Sequence, residues 1–221
     1  MAMYRENRAM PWFYYVGGTI ARVLLTLFTR WRVNGKENIP REGPLLVAAN
    51  HIATADPPVL SVSLNRKVVF MAKEELFRSR LKGYFVRNFG AFPVHRGRLD
   101  ARALRQADEM LARGLALAIF PEGTRSSNGQ LQRALPGSAL IATRNCAPIL
   151  PAGITGTEKI KGLAWLLRRH EITVTFGQPF SLPSVNGRLT KAELAEHAEL
   201  IMRRIAAVLP ESRRGAYQHD S

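Results

Sequence analysis

The chain has 221 residues, of which 46% are hydrophobic and 22% charged. That is enough for one domain around a single core, and it excludes a disordered or collagen-like chain. Lys and Arg number 32 against 17 Asp and Glu, a net charge of +15, so the surface favours anionic partners: lipid headgroups, nucleic acid or an acidic protein. The single cysteine, Cys146, excludes an internal disulfide and a cysteine-built metal cluster.

Between positions 11 and 28 the only charge is Arg22, with Arg5 and Arg8 before the stretch and Arg30 and Arg32 after it. A helix here places Trp12, Val16, Ile20, Val23, Leu27 and Trp31 on one face and Gly18, Arg22, Thr26 and Thr29 on another. Arg22 near the middle costs a membrane span about 2.5–3.5 kcal/mol. The pattern therefore predicts an amphipathic, membrane-binding helical arm over residues 1–31, broken or kinked at Gly17-Gly18 and lying in the interface. No small-residue cleavage site follows the apolar run, which tells against a signal peptide.

Residues 44–49 then read as a buried strand, and 56–64 as a helix with Asp56 as its cap and Pro57 at its first position. A strand at 67–72, a helix at 77–89, a short strand at 91–94 and an amphipathic helix at 99–113 follow. Residues 66–105 carry a dense excess of Lys and Arg over Glu74, Glu75 and Asp100. Another apolar strand, 115–120, runs into Pro121-Glu122-Gly123. Beyond it come a helix at 137–145, strands at 149–154 and 172–176, and a long helix at 191–209 stopped by Pro210. Residues 211–221 read as a loose tail. Apolar strands alternating with helices predict an α/β fold: a single domain over residues 32–210 with a mixed, largely parallel sheet covered by helices.

Two strand ends carry the chemistry. Asn50-His51-Ile52-Ala53-Thr54-Ala55-Asp56 leaves the first strand and enters a helix. A turn of this length can return the Asp56 carboxylate to one nitrogen of His51, set the tautomer and leave the other nitrogen as a base. Taken alone, the pair is explained as well by a helix cap and a packed histidine. The second strand end is Phe120-Pro121-Glu122-Gly123-Thr124-Arg125-Ser126, and ligands of α/β sheets bind at such ends. Arg125 offers a planar fork suited to phosphate. A third stretch, Phe92-Pro93-Val94-His95-Arg96-Gly97, places Arg96 at another strand end. Two arginines beside a His–Asp pair point to a substrate with both a phosphate and a hydroxyl to activate.

Together these stretches resemble the ordered blocks of the glycerolipid acyltransferase family, whose members include the 1-acylglycerol-3-phosphate acyltransferases. The HX4D block ends at Asp56, the next two are the stretches around Arg96 and Arg125, and the fourth is Ile149-Leu150-Pro151-Ala152-Gly153. The resemblance implies that His51 is the general base and Asp56 its orienting partner. It further implies that Glu122, Gly123, Thr124 and Arg125 shape the acceptor site, that Arg96 contacts phosphate, and that Pro151 shapes the acyl-donor side. The block around Arg96 departs from the family pattern, which has an acidic or amide residue where this chain has His95.

The implied reaction moves a fatty acyl group from acyl-CoA or acyl carrier protein to a lysophospholipid, with no cofactor and no metal. Its setting is an anionic membrane surface, the enzyme monotopic or peripheral with its active site on the cytoplasmic side. Glycerol-3-phosphate and a lyso-aminolipid are the alternative acceptors. A basic nucleic-acid- or lipid-binding module is the reading from another class. No helix-turn-helix, zinc-finger or RNA-binding signature accompanies the charge, so nucleic acid is not an expected partner.

Overall fold

The computed structural model describes residues 12–64, 66–95, 100–183 and 189–218. Its strands are β1 (Arg30–Asn34), β2 (Leu45–Ala49), β3 (Val68–Lys73), β4 (Ala91–Val94), β5 (Ala116–Ile119), β6 (Ile149–Thr155) and β7 (Glu171–Phe176). The helices are α1 (Trp12–Phe28), α2 (Asp56–Ser63), α3 (Glu74–Arg78), α4 (Arg80–Asn88), α5 (Ala101–Ala112), α6 (Pro136–Asn145), α7 (Trp165–Arg168) and α8 (Lys191–Ala207).

All seven strands form one sheet in the order β1-β7-β6-β2-β5-β3-β4. From β6 to β4 every neighbouring pair is parallel. β7 runs antiparallel to β6, and β1 follows β7. This is the expected mixed, largely parallel α/β sheet. Five strands therefore end at the same edge, with β2 inside the sheet between β6 and β5.

β2 is buried along its whole length because both faces of the sheet are covered, which is why it reads as an unbroken apolar run. Leu46 and Ala48 face a core built with Leu104, Leu111, Ile141 and Ile201. Leu45, Val47 and Ala49 face the opposite core with Val59, Leu60 and Leu25. Successive side chains point to opposite faces, so one strand nails both layers together.

Several expectations need correction. The arm was expected to extend to residue 31, but the helix ends at Phe28 and residues 30–34 join the sheet beside β7. Trp31 consequently packs on the core instead of continuing the helical stripe. The helix is also unbroken at Gly17-Gly18. Gly17 is a point of close approach: a Cβ there would lie 2.8 Å from Phe89 Cζ. The helix expected at 77–89 divides at Ser79, an extended residue whose Oγ accepts from the Lys82 amide and starts α4. The tail is packed rather than loose through Tyr217: 3₁₀ turns at Glu211–Arg213 and Gly215–Tyr217 bring Tyr217 into the core.

α1 docks through Tyr14, whose hydroxyl meets Ser61 Oγ at 3.0 Å, through buried Leu25, and through Arg22, which donates to the Val62 carbonyl at 2.8 Å. The stripe predicted from the sequence faces away from the domain: Trp12 is 70% exposed, Ile20 55% and Leu27 60%. Among the described residues no helix is long and apolar enough to cross a membrane. Arg5 and Arg8 lie outside the described residues.

Candidate active site

His51 stands just past the C-terminal end of β2, and Asn50 sets its position. The Asn50 side chain donates to the Ile154 carbonyl at 2.9 Å and accepts from the Ile154 amide at 2.7 Å. Those bonds continue the β2–β6 ladder with a side chain after the backbone has turned away. The chain then bends so that Asp56, fully buried at the start of α2, faces back toward His51.

Asp56 was expected to cap α2, and it does not: the cap position is Ala55, and no side chain caps the helix. Its carboxylate works inside the turn instead. Oδ2 accepts from His51 Nδ1 and from the amides of Ile52 and Ala53, each at 2.7 Å. Oδ1 accepts from the Thr157 hydroxyl at 2.5 Å. With Nδ1 committed to Asp56, Nε2 is the nitrogen left for a substrate proton. The His51 ring stacks on Phe120, centroids 4.2 Å apart, which restricts its rotation from the other side.

The turn after β5 closes the site. Glu122 was expected to shape the acceptor pocket; both of its carboxylate oxygens are occupied within the protein. Oε1 accepts from the His51 amide at 2.7 Å and Oε2 from the Gln132 amide at 3.0 Å. Burial pushes its carboxyl up to about 7, against the two backbone hydrogen bonds, and the Asp56 charge pushes the same way as burial. Glu122 thus staples the β5 turn to His51. Gly123 adopts φ +68°, and a Cβ there would lie 2.2 Å from Leu135 Cδ1, so this turn requires glycine. The Ser126 amide returns to the His51 carbonyl at 2.7 Å.

Two cavities border these turns. A polar one of about 640 Å³ is lined by Thr54, Thr124, Arg125 and Ser126 among others. Arg125 reaches back across it, donating through Nη1 to Thr54 Oγ1 at 2.7 Å. The second, of about 370 Å³, is bounded largely by apolar side chains, including Met71, Leu104, Ile119, Phe120, Leu135 and Ile141. At its border His95 pairs with Glu74 and with Asp100, the latter at 3.0 Å. Burial works against the Asp100 carboxylate, but hydrogen bonds from the His95 and Ala103 amides, the His95 ring and the Arg102 amide outweigh it and hold Asp100 down to about 2. His95 is therefore committed to two carboxylates, unlike the single-partner His51.

Arg96 lies outside the described residues. Pro151, expected to shape the acyl-donor side, is buried within β6, opposite Ala48 and against Gly177, and lines neither of these two cavities. β6 runs four residues past it to Thr155, so the residue that β6 delivers to the site is Thr157. Nothing local marks Thr157 in the sequence, since it lies 101 positions from the carboxylate it holds. Asn50 was legible only as the neighbour of His51.

The protein-family model described as Acyltransferase matches residues 30–155. A 1-acyl-sn-glycerol-3-phosphate acyltransferase of Bacillus subtilis is 30% identical over 186 residues, covering 83% of this chain and 90% of that one. A lyso-ornithine lipid O-acyltransferase of Pseudomonas aeruginosa is 32% identical over 201 residues, covering 83% of this chain and 75% of the relative. The crystal structure of PlsC, the 1-acyl-sn-glycerophosphate acyltransferase of Thermotoga maritima, superposes with a TM-score of 0.67 at 26% identity, covering 94% of this chain and 83% of that chain.

Proposed function

The chain belongs to the acyltransferase family, and on that premise we propose that it transfers a fatty acyl group to the sn-2 hydroxyl of 1-acylglycerol 3-phosphate, forming phosphatidic acid. The observation that carries this reading is the Asp56-held His51, whose chain neighbour Ile52 lines the polar cavity with Arg125 and whose ring stacks on Phe120, a wall of the apolar cavity suited to an acyl chain.

In the proposed mechanism His51 Nε2 takes the hydroxyl proton as the acceptor oxygen attacks the thioester carbonyl. The carbon–sulfur bond breaks as the tetrahedral intermediate collapses, and the thiolate leaves. Asp56 stabilises the imidazolium through the Nδ1 bond. The donor is acyl-CoA or acyl carrier protein, and the step as written needs no cofactor. Arg125, with Thr124 beside it, binds the acceptor's phosphate end, where a guanidinium fork makes charge-assisted bonds.

The setting we propose is the cytoplasmic face of a membrane, with α1 lying in the interface. Supporting this, the exposed stripe of α1 is continued by exposed Leu81, Tyr84 and Phe85 of α4 and by Leu163 and Leu167 around α7. Phe13 touches Tyr84 and Phe85, and Phe28 touches Trp165, so these elements form one surface. Arg80, Lys82, Arg168 and Arg169 sit among them, as anionic headgroups require.

A second reading, a lyso-aminolipid acceptor, is favoured by a single feature. Glu158 lines the polar cavity and its Oε2 is buried with no hydrogen-bond partner, a place for a headgroup amine. The test offers purified protein in micelles acyl-CoA or acyl carrier protein with 1-acylglycerol 3-phosphate, glycerol 3-phosphate or a lyso-ornithine lipid. The first acceptor should give the highest kcat/KM. Preference for the amine-bearing lipid overturns that reading in favour of the second.

A further inference from the structure

The polar cavity beside Arg125 holds more positive charge than the sequence motifs account for. Its wall includes Lys161, from the loop after β6, and Arg213, from the turn after α8, neither of which falls in any block quoted above. Arg213 donates to the Gly129 carbonyl at 3.3 Å and to Glu158 Oε1 at 2.5 Å. Those bonds tie the C-terminal turn to both loops that frame the cavity. Glu158 is the only carboxylate in the lining among the described residues, and this ion pair neutralises it. Lys161 is exposed and has no ion-pair partner among the described residues. Arg125, Lys161 and Arg213 against Glu158 leave the cavity a net charge of +2, and a phosphate monoester near neutral pH carries about −1.5 to −2.

We infer that this cavity is a phosphate site in which Lys161 is a further binding cation beside Arg125, and that the Arg213–Glu158 pair positions the loop carrying Lys161. The inference rests on the acyltransferase reading above and extends it to residues outside the family's blocks. Two substrates bring phosphate: the lysophosphatidic acid acceptor and the coenzyme A portion of a donor. Lys161 recognises the chemistry they share, as a point charge with three donors.

The test is equilibrium binding by calorimetry, in detergent micelles, of lysophosphatidic acid and of coenzyme A to the full chain. Wild type is compared with Lys161→Ala, Lys161→Arg and Lys191→Ala, the last a control for general loss of positive charge at an exposed lysine on α8. Removing one charge-assisted contact should weaken one ligand about tenfold, with Lys161→Arg retaining most of the affinity and Lys191→Ala all of it. The ligand that weakens identifies which phosphate the cavity holds. Unchanged affinity of Lys161→Ala for both ligands overturns the site and leaves the proposed function standing, as does an equal loss in Lys191→Ala. Wild type that binds neither ligand overturns the proposed function itself, and this inference with it.

Discussion

Both carboxylate oxygens of Asp56 are held inside the protein, Oδ2 by His51 and two amides and Oδ1 by Thr157. The carboxylate is thus fixed before it fixes the histidine. His51→Ala should lower turnover at least about 10²-fold in a folded protein. Asp56→Asn should be comparably severe, because an amide can present its NH2 to Nδ1 and select the wrong tautomer. Thr157→Val keeps the shape and removes one donor to the carboxylate; kcat should fall roughly tenfold with little change in either KM. Steady-state kinetics on both substrates checks all three, and a folded His51→Ala enzyme of near-normal kcat sinks the mechanism. Glu122 makes a separate claim about pH. Its carboxyl titrates near 4.5 when free and about 7 when folded. In that window the folded state binds the extra proton, so stability falls as pH rises from the lower value toward the upper. The size is on the order of 3 kcal/mol. Glu122→Gln removes the titration while offsetting stability by a pH-independent amount. Unfolding free energies measured across the window should show a decline in wild type relative to the variant, and parallel curves would refute the assignment.

At the scale of elements, β2 and β6 part company at Asn50, where one side chain replaces two backbone partners. Asn50→Ala leaves the Ile154 amide and carbonyl without those partners in a buried place, at a cost of about 1–3 kcal/mol. Because His51 follows directly, the turn should loosen as well as the sheet. Urea unfolding in micelles should show the lost stability, and kcat should fall more than stability alone explains when measured well below the unfolding midpoint. A variant as stable and active as wild type would show that the ladder ends at Ala49 without help. Sequence patterning reads these elements unevenly, for physical reasons. β2, β5 and β6 announce themselves as apolar runs because both their faces are buried. β1 hides because only alternate residues are shielded at the sheet's border, which Arg30, Arg32 and Asn34 tolerate.

For the molecule as a whole, the exposed stripe of α1 predicts how it meets lipid. Cutting the chain before Arg32 is a poor test, since Tyr14, Leu25 and the first residues of β1 belong to the fold. Replacing Ile20, Val23 and Leu27 together by Ser removes exposed apolar area while leaving the docking residues Tyr14, Arg22 and Leu25 in place. Vesicle sedimentation should show wild type binding more strongly as anionic lipid increases and weakening only in part at high salt, since salt screens the basic residues and not the apolar ones. The triple variant should lose most of the salt-resistant part while its kinetics on a dispersed acceptor persist. Binding undiminished by the replacement would move the anchor to α4 and the loop around α7.

The sequence by itself determined the α/β class, most strand positions, the His51–Asp56 pairing and the stripe on α1. Strands and stripe are written in local terms, an apolar run and a helical period; the pairing became legible only through the resemblance of the four ordered blocks, since its five-residue offset alone fits a helix cap as well. Tertiary structure alone decided that Glu122 staples the turn at His51, that Pro151 stays in the sheet, that Thr157 bonds Asp56, and that Lys161 and Arg213 share a cavity wall with Arg125. Those roles depend on which strand lies beside which. The order β6-β2-β5 sets residues from distant parts of the chain on either side of His51, and parallel pairing across long connections leaves no mark in the spacing of residues.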